Sequence, residues 1–356
     1  MPADIIFPLG DQRLSAQRRP FIVAELSANH GGTLAHALAT VEAIAKAGAD
    51  GLKLQTYTPA EMTLARDTPP FLIDEPSNPW RGRTLYDLYQ EAHTPWEWHA
   101  PLFRRAHELG LLAFSTPFSQ AGVANLETLE PPCYKIASFE LTDTPLLEAA
   151  AATGRPLILS TGMATLAEID QAIRTCRTAG ARHIMLLRCT SAYPAPAEQA
   201  NLRSLPVLQQ MTGCPVGLSD HTLGSAVAIT ATSLGAVLIE KHVTLDRAAG
   251  GPDAGFSLEP AELAQLVRDT TTAWQALGKV HFGPVAAEQG TQGHRRSLFV
   301  TADLCTGDRL NEHNLQALRP ALGLPPSYYA LLLGRRVRRD IPAGTAVTWS
   351  LLLDDE

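Results

Sequence analysis

Two histidines, His221 in SDHTLG and His242 in IEKHVTL, close short apolar runs, and each has an acidic residue one or two positions before it, Asp220 and Glu240. If both runs are neighbouring strands of one parallel sheet, the two imidazoles stand at matching heights on adjacent strand tips. There they can share one divalent metal ion, with carboxylate, water and a substrate oxygen completing the coordination. A lone histidine is ordinarily a surface or satisfied core residue, and His93, His99, His107, His183, His281 and His313 are read that way. Repetition at equivalent strand tips sets the pair apart.

Lys53 in GLKLQ and Lys135 in CYKIA form a second pair near the tips of apolar runs. A lysine so placed needs an anionic partner or a shifted pKa, and a bound phosphate or carboxylate answers that need. Thr116, Ser138, Ser160, Ser191 and Ser219 end other runs. Each hydroxyl taken singly is a strand-end cap; around two lysines they become donors for an anion. Glu25, Gln55, Glu140 and Tyr193 belong to the same polar set.

The elements that must carry these residues repeat a βα rhythm. The predicted strands are 21–25, 51–55, 111–115, 133–137, 156–160, 183–189, 215–220 and 236–242. Helical stretches such as 34–49, 165–180 and 224–236 lie between them, several ending at Gly. Eight near-continuously apolar strands, each followed by a helix, predict a (β/α)8 TIM barrel of class α/β, whose active sites lie at the C-terminal ends of the strands. An open dinucleotide-binding sheet would carry a Gly-rich loop after its first strand, where this chain reads AELSANHGG. Alternation then places Lys53 and Gln55 inward with Leu52 and Leu54 outward, Glu240 and His242 inward with Ile239 and Lys241 outward, and Ser219 and His221 inward.

Two segments break the rhythm. The second βα connection runs from Thr56 to about His93 and is rich in Pro, Trp and Arg, a length that points to function. Before the first strand, IIFPLGDQRLSAQRRP reads as a short hairpin able to plug the barrel bottom. The expected organisation is a catalytic barrel with this hairpin over 1–278, a linker over 279–294, and a small β-rich domain over 295–356.

With 356 residues the chain suits one large domain plus a small one, and 45% hydrophobic and 18% charged residues describe a packed protein. A formal charge of −7 argues against a nucleic acid or anionic membrane as partner. Five cysteines without a C-x-x-C spacing read as reduced thiols of a cytoplasmic protein, and no stretch approaches a membrane span.

The motifs FIVAELSANHGG, KLQTYTP, FSTPF, YKIASFE, STGMAT, SDHTLG, IEKHVTLDR and GGPDAGFSLEP, in this order, resemble the sialic acid synthase family of phosphoenolpyruvate-dependent nonulosonic acid synthases over nearly the whole chain. KLQTYTP, TLYDLYQEAHTPWEWH and KIASFE are most similar to its pseudaminic acid branch, whose acceptor is a 2,4-diacetamido-2,4,6-trideoxy hexose. The N-acetylneuraminate and legionaminate branches are the alternatives, and a non-catalytic carbohydrate-binding protein is a distant one.

The resemblance implies that Lys53, Thr116, Lys135, Ser138, Ser160, Ser191 and Ser219 surround phosphoenolpyruvate. It likewise implies that His221 and His242 hold Mn2+ or Mg2+, and that Gln55, Tyr193 and Asp253, with Glu25, face the sugar. Glu25 and Glu140 would handle protons. The tail resembles the antifreeze-like (SAF) domain of the family, and its Arg319 matches an arginine that reaches a substrate acetamido group across a homodimer, the tail covering the partner's barrel. Two motifs depart from the commoner pattern: CTSAYP has Ser191 where the sialic acid branch has Asn, and RPALGL replaces RPGxGL.

Overall fold

The chain opens on a two-stranded antiparallel hairpin, β1 (Phe7–Leu9) and β2 (Gln12–Leu14), turned at Gly10 with φ +57°, a value that side chains with a Cβ rarely adopt. Eight parallel strands follow: β3 (Phe21–Glu25), β4 (Gly51–Thr56), β5 (Leu112–Pro117), β6 (Tyr134–Ile136), β7 (Leu157–Ser160), β8 (Ile184–Cys189), β9 (Val216–Ser219) and β10 (Leu238–His242). Hydrogen bonds between β10 and β3 close them into a barrel in sequence order. This is the predicted TIM barrel, with strand ends shifted by at most two residues from the sequence reading. The computed structural model describes residues 5–74 and 80–353; positions 75–79 of the anomalous second connection and 354–356 of the tail lie outside the described residues.

Helices cover the barrel because their apolar stripes match the outward faces of the strands. The helix Leu34–Ala47 is typical. Thr33 accepts the His36 N–H at its start, Gly48 in the left-handed conformation ends it, and Ala37, Val41 and Ile44 are buried at helical spacing. Leu52, Leu54 and Ile239 join these residues in the layer between strands and helices, as alternation requires.

A second apolar cluster fills the lower barrel interior. Phe7, Leu9 and Leu14 of the hairpin pack there against Val23, Phe114, Ile158, Met185, Leu187 and Leu238 from the strands. Burying each large side chain contributes about 1.5–3 kcal/mol. The hairpin is therefore the floor of the barrel.

In the second connection, the described residues form a short helix Pro59–Met62, an inserted helix Leu85–Ala92, and the barrel helix Trp96–Glu108. The inserted helix starts at Thr84, whose hydroxyl accepts the Asp87 N–H at 3.0 Å. It has no fully buried residue.

The chain divides into two compact units, Met1–Gly278 and Lys279–Glu356. The second begins with an exposed stretch that includes a 3-10 helix over Ala286–His294. Its antiparallel pair β11 (Ser297–Val300) and β12 (Leu315–Leu318) packs over a small core that includes Leu298, Val300, Leu310, Leu332, Val337 and Val347.

Candidate active site

Strand register assembles the upper barrel interior. His242 pairs with Glu25, Glu25 with Lys53, Gln55 with Thr116, and Glu240 with Ser219 across neighbouring strands, so their side chains share the inward face. The resulting cavity of about 210 Å³ is lined by Glu25, Lys53, Gln55, Thr116, Lys135, Ser138, Ser160, Tyr193, Ser219, His221, His242 and Asp253 among the residues singled out from sequence. Ser191 and Glu140 flank it without lining it. A Cβ added at Gly162 would come within 2.7 Å of the Ser138 hydroxyl and closer still to that of Ser191, so the backbone passes hard against both. Arg319 is exposed on the second unit.

The two lysines already have anionic partners within the chain. Lys53 Nζ lies 3.0 Å from Glu25 Oε1 and 3.2 Å from Glu240 Oε1, and Lys135 Nζ lies 2.8 Å from the same Glu240 oxygen. Ser219 also donates to that oxygen at 2.8 Å, and Lys53 donates to Thr116 at 3.3 Å. Glu240 therefore ties together three strands across the lumen. Parity had placed it inward, but its role as common counter-ion was missed, because the contact joins β10 to β4 and β6, which are not its sheet neighbours.

Burial and charge act against each other in this quartet. Burial pushes the Glu25 carboxyl up, yet His242 and Lys53 outweigh it and hold it well below the usual carboxylate range. Burial depresses the Lys53 ammonium, and Glu240 with Glu25 more than restore it, raising its pKa. At Lys135 burial wins despite Glu240, aided by repulsion from Lys53, and its pKa is lowered. Glu140, half-buried beside the cavity with one oxygen unpartnered, is pushed up to about 7, chiefly by burial and also by Asp143.

The imidazoles of His221 and His242 stand 5.2 Å apart between ring centroids, against Phe256 at 5.9 and 4.9 Å. Tyr193 covers His221 at 4.5 Å. His221 Nδ1 lies 3.1 Å from the Thr190 carbonyl, which can only accept, so Nδ1 donates there and Nε2 is the nitrogen left for another partner. His242 Nε2 lies 3.1 Å from Glu25 Oε2, and its Nδ1 is buried without a hydrogen bond, 3.6 Å from Asp253.

Among the described residues no group of three or more His, Cys, Asp or Glu side chains is placed to hold a metal ion. The two imidazoles alone, 5.2 Å apart, fit at most an open site, in which water and substrate oxygens would supply the remaining ligands. The unpartnered, buried Ser160 hydroxyl and Glu240 Oε2 leave further polar atoms aimed at whatever fills the cavity.

Behind the histidines, on the outward face, Lys241 and Asp220 pair at 3.1 Å, both almost fully buried. Lys241 also donates to the Thr222 carbonyl, and Thr222 returns two hydrogen bonds to Asp220. This clasp joins the ends of β9 and β10, which carry the imidazoles. Ser27 donates to Asp253, and His30 Nε2 lies 3.1 Å from the Ala92 carbonyl. The ties of Ser27 to Asp253 and of His30 to Ala92 were not legible in the sequence, since their partners lie 226 and 62 positions away.

A closed parallel barrel whose strand tips converge on matched lysines, carboxylates and a histidine pair defines a barrel enzyme acting on an anionic substrate. Residues 40–282 match the NeuB family and 295–353 the SAF domain. The chain is 45% identical to a pseudaminic acid synthase of Helicobacter pylori, over 92% of this chain and 96% of that one. It is 35% identical to an N,N'-diacetyllegionaminic acid synthase of Legionella pneumophila, over 92% and 93%. The crystal structure of an N-acetylneuraminic acid synthetase from Leptospira borgpetersenii, in complex with citrate, superposes with a TM-score of 0.71 at 32% identity, covering 81% of this chain and 95% of that one. The chain belongs to the NeuB family.

Proposed function

We propose that the chain condenses phosphoenolpyruvate with 2,4-diacetamido-2,4,6-trideoxy-β-L-altropyranose to give pseudaminic acid and phosphate. The observation that carries this reading is the identity to the Helicobacter pylori synthase, ten percentage points above that to the legionaminic acid enzyme over a similar span.

Carbon 3 of phosphoenolpyruvate attacks the open-chain aldehyde carbon of the sugar, water adds to the resulting cationic carbon 2, and phosphate leaves by cleavage of the C–O bond. His221 and His242 would hold a divalent ion, Mn2+ or Mg2+, which would supply Lewis-acid polarisation of the aldehyde. Lys53 and Lys135, with Thr116, Ser138, Ser160, Ser191 and Ser219, receive the phosphate and carboxylate of phosphoenolpyruvate and balance the departing charge. Gln55, Tyr193 and Asp253 orient the sugar. The alkoxide formed from the aldehyde oxygen gains a proton and the water added at carbon 2 loses one; Glu25, held ionised, and Glu140, with its pKa pushed up to about 7, are the carboxyls that handle these transfers.

Arg319 completes the sugar site from the tail of a second copy in a homodimer. We place the chain in the cytoplasm, where its five cysteines would stay reduced. No helix among the described residues is long and apolar enough to cross a membrane. Phosphate release measured with the trideoxy sugar, the legionaminic acid precursor and N-acetylmannosamine tests the reading. The highest kcat/KM is expected with the trideoxy sugar, and a clear preference for either of the others overturns it.

A further inference from the structure

The inserted helix Leu85–Ala92 is amphipathic, yet none of its residues is buried in the core. Leu88, Tyr89 and Ala92 instead line the substrate cavity, together with Tyr57 and Phe118. An apolar stripe normally turns to the core, because exposing it to water costs about 25 cal/mol per Å². Here it turns to the space where the substrate goes.

The helix is held in that attitude. His30 fixes its last carbonyl, and Tyr57, nearly fully buried, packs edge-on to Tyr89 at 5.9 Å and to Phe118 at 5.2 Å. The cavity consequently has two unlike sides. One carries the Lys53–Glu25–Glu240–Lys135 quartet and the histidines; the other, past Asp253, is aromatic and aliphatic. A ligand polar on all sides would leave hydroxyls facing Leu88 and Ala92 with nothing to bond.

Resting on the reading given above, we propose that Leu88, Tyr89 and Ala92 form an acceptor-selecting wall that seats the methyl groups of a deoxygenated, acetamido-bearing sugar and disfavours a fully hydroxylated hexosamine. These residues are specificity determinants. They touch the acceptor and leave the phosphoenolpyruvate end to the lysines and hydroxyls.

Leu88→Gln and Ala92→Ser change the stripe while keeping helix-compatible residues and sparing the core. Gln90→Ala, on the exposed face, serves as control. The measurements are kcat/KM for the 2,4-diacetamido-2,4,6-trideoxy sugar and for N-acetylmannosamine, and the KM for phosphoenolpyruvate. Each stripe variant is expected to lower the ratio of the two kcat/KM values about tenfold, the scale of one group in an apolar pocket. The KM for phosphoenolpyruvate and the control's ratio should stay unchanged. An unchanged ratio, or an equal loss with both acceptors, overturns the wall. Wild-type preference for N-acetylmannosamine would instead overturn the proposed product, so the two failures are told apart by the protein in which they occur.

Discussion

The lower and upper halves of the barrel interior are built by the same eight strands and obey opposite rules. Below, the hairpin residues Phe7 and Leu9 meet Val23, Ile158 and Leu238 in a dry apolar plug. Two residues further along the same strands, Val23 gives way to Glu25 and Leu238 to Glu240, and the interior becomes a buried charge network. Stability is concentrated in one half and chemistry in the other, with the changeover within a single pleat repeat. Buried ion pairs contribute little net stability because desolvation offsets attraction, but losing one partner leaves a costly unpaired charge. The upper half is therefore held for its geometry and the lower half for its burial.

This contrast can be broken in graded steps. The largest effect is expected from removing metal: chelation, or His221→Ala with His242→Ala, should lower turnover by about 10³-fold or more while circular dichroism and the melting temperature report a folded barrel. Undiminished turnover would remove the histidine pair from the chemistry. Next, Glu240→Leu strands Lys135 and leaves Lys53 with Glu25 alone, and should cost about 3–5 kcal/mol in urea unfolding, with activity lost. A neutral outcome would mean that the quartet is not the buried unit described. Phe7→Ala, in the lower half, should cost about 3–4 kcal/mol of stability with kcat nearly unchanged at a temperature where the variant is folded. A large fall in kcat there would deny the separation of the halves.

The smallest effect concerns pH. Burial raises the Glu140 carboxyl from its ordinary value to about 7 in the folded chain. A raised folded pKa contributes stability fully below the unfolded value and loses it as pH rises through about 7. Glu140→Gln should therefore gain on wild type by about 2 kcal/mol between pH 5 and pH 8, read from unfolding curves at each pH. A constant difference across that range would show an ordinary carboxyl.

Much of this contrast was legible in the sequence wherever a strand's own alternation decided it. Lys53 and Gln55 against Leu52 and Leu54, or Glu240 and His242 against Ile239, take their faces from a period of two and need no knowledge of the partner strand. The partner of each charge was not legible. Lys53 and Lys135 read as residues awaiting an external anion, whereas Glu25 and Glu240 answer them from within, through contacts that cross the lumen. The inserted helix Leu85–Ala92 was also hidden, since it sits in a connection without the βα rhythm and its stripe meets a cavity rather than a strand face. The sialic acid synthase resemblance and the barrel were readable from motifs of which all but FIVAELSANHGG fall within the matched residues 40–282.

The hairpin floor has one more implication. A barrel sealed by Phe7, Leu9 and Leu14 is a cul-de-sac among the described residues, so its cavity opens on the side lined by Tyr193 and the inserted helix. Of two ligands bound together, the one seated against Lys135 and Ser160 is then expected to enter first and to leave last, an order that product-inhibition patterns would read.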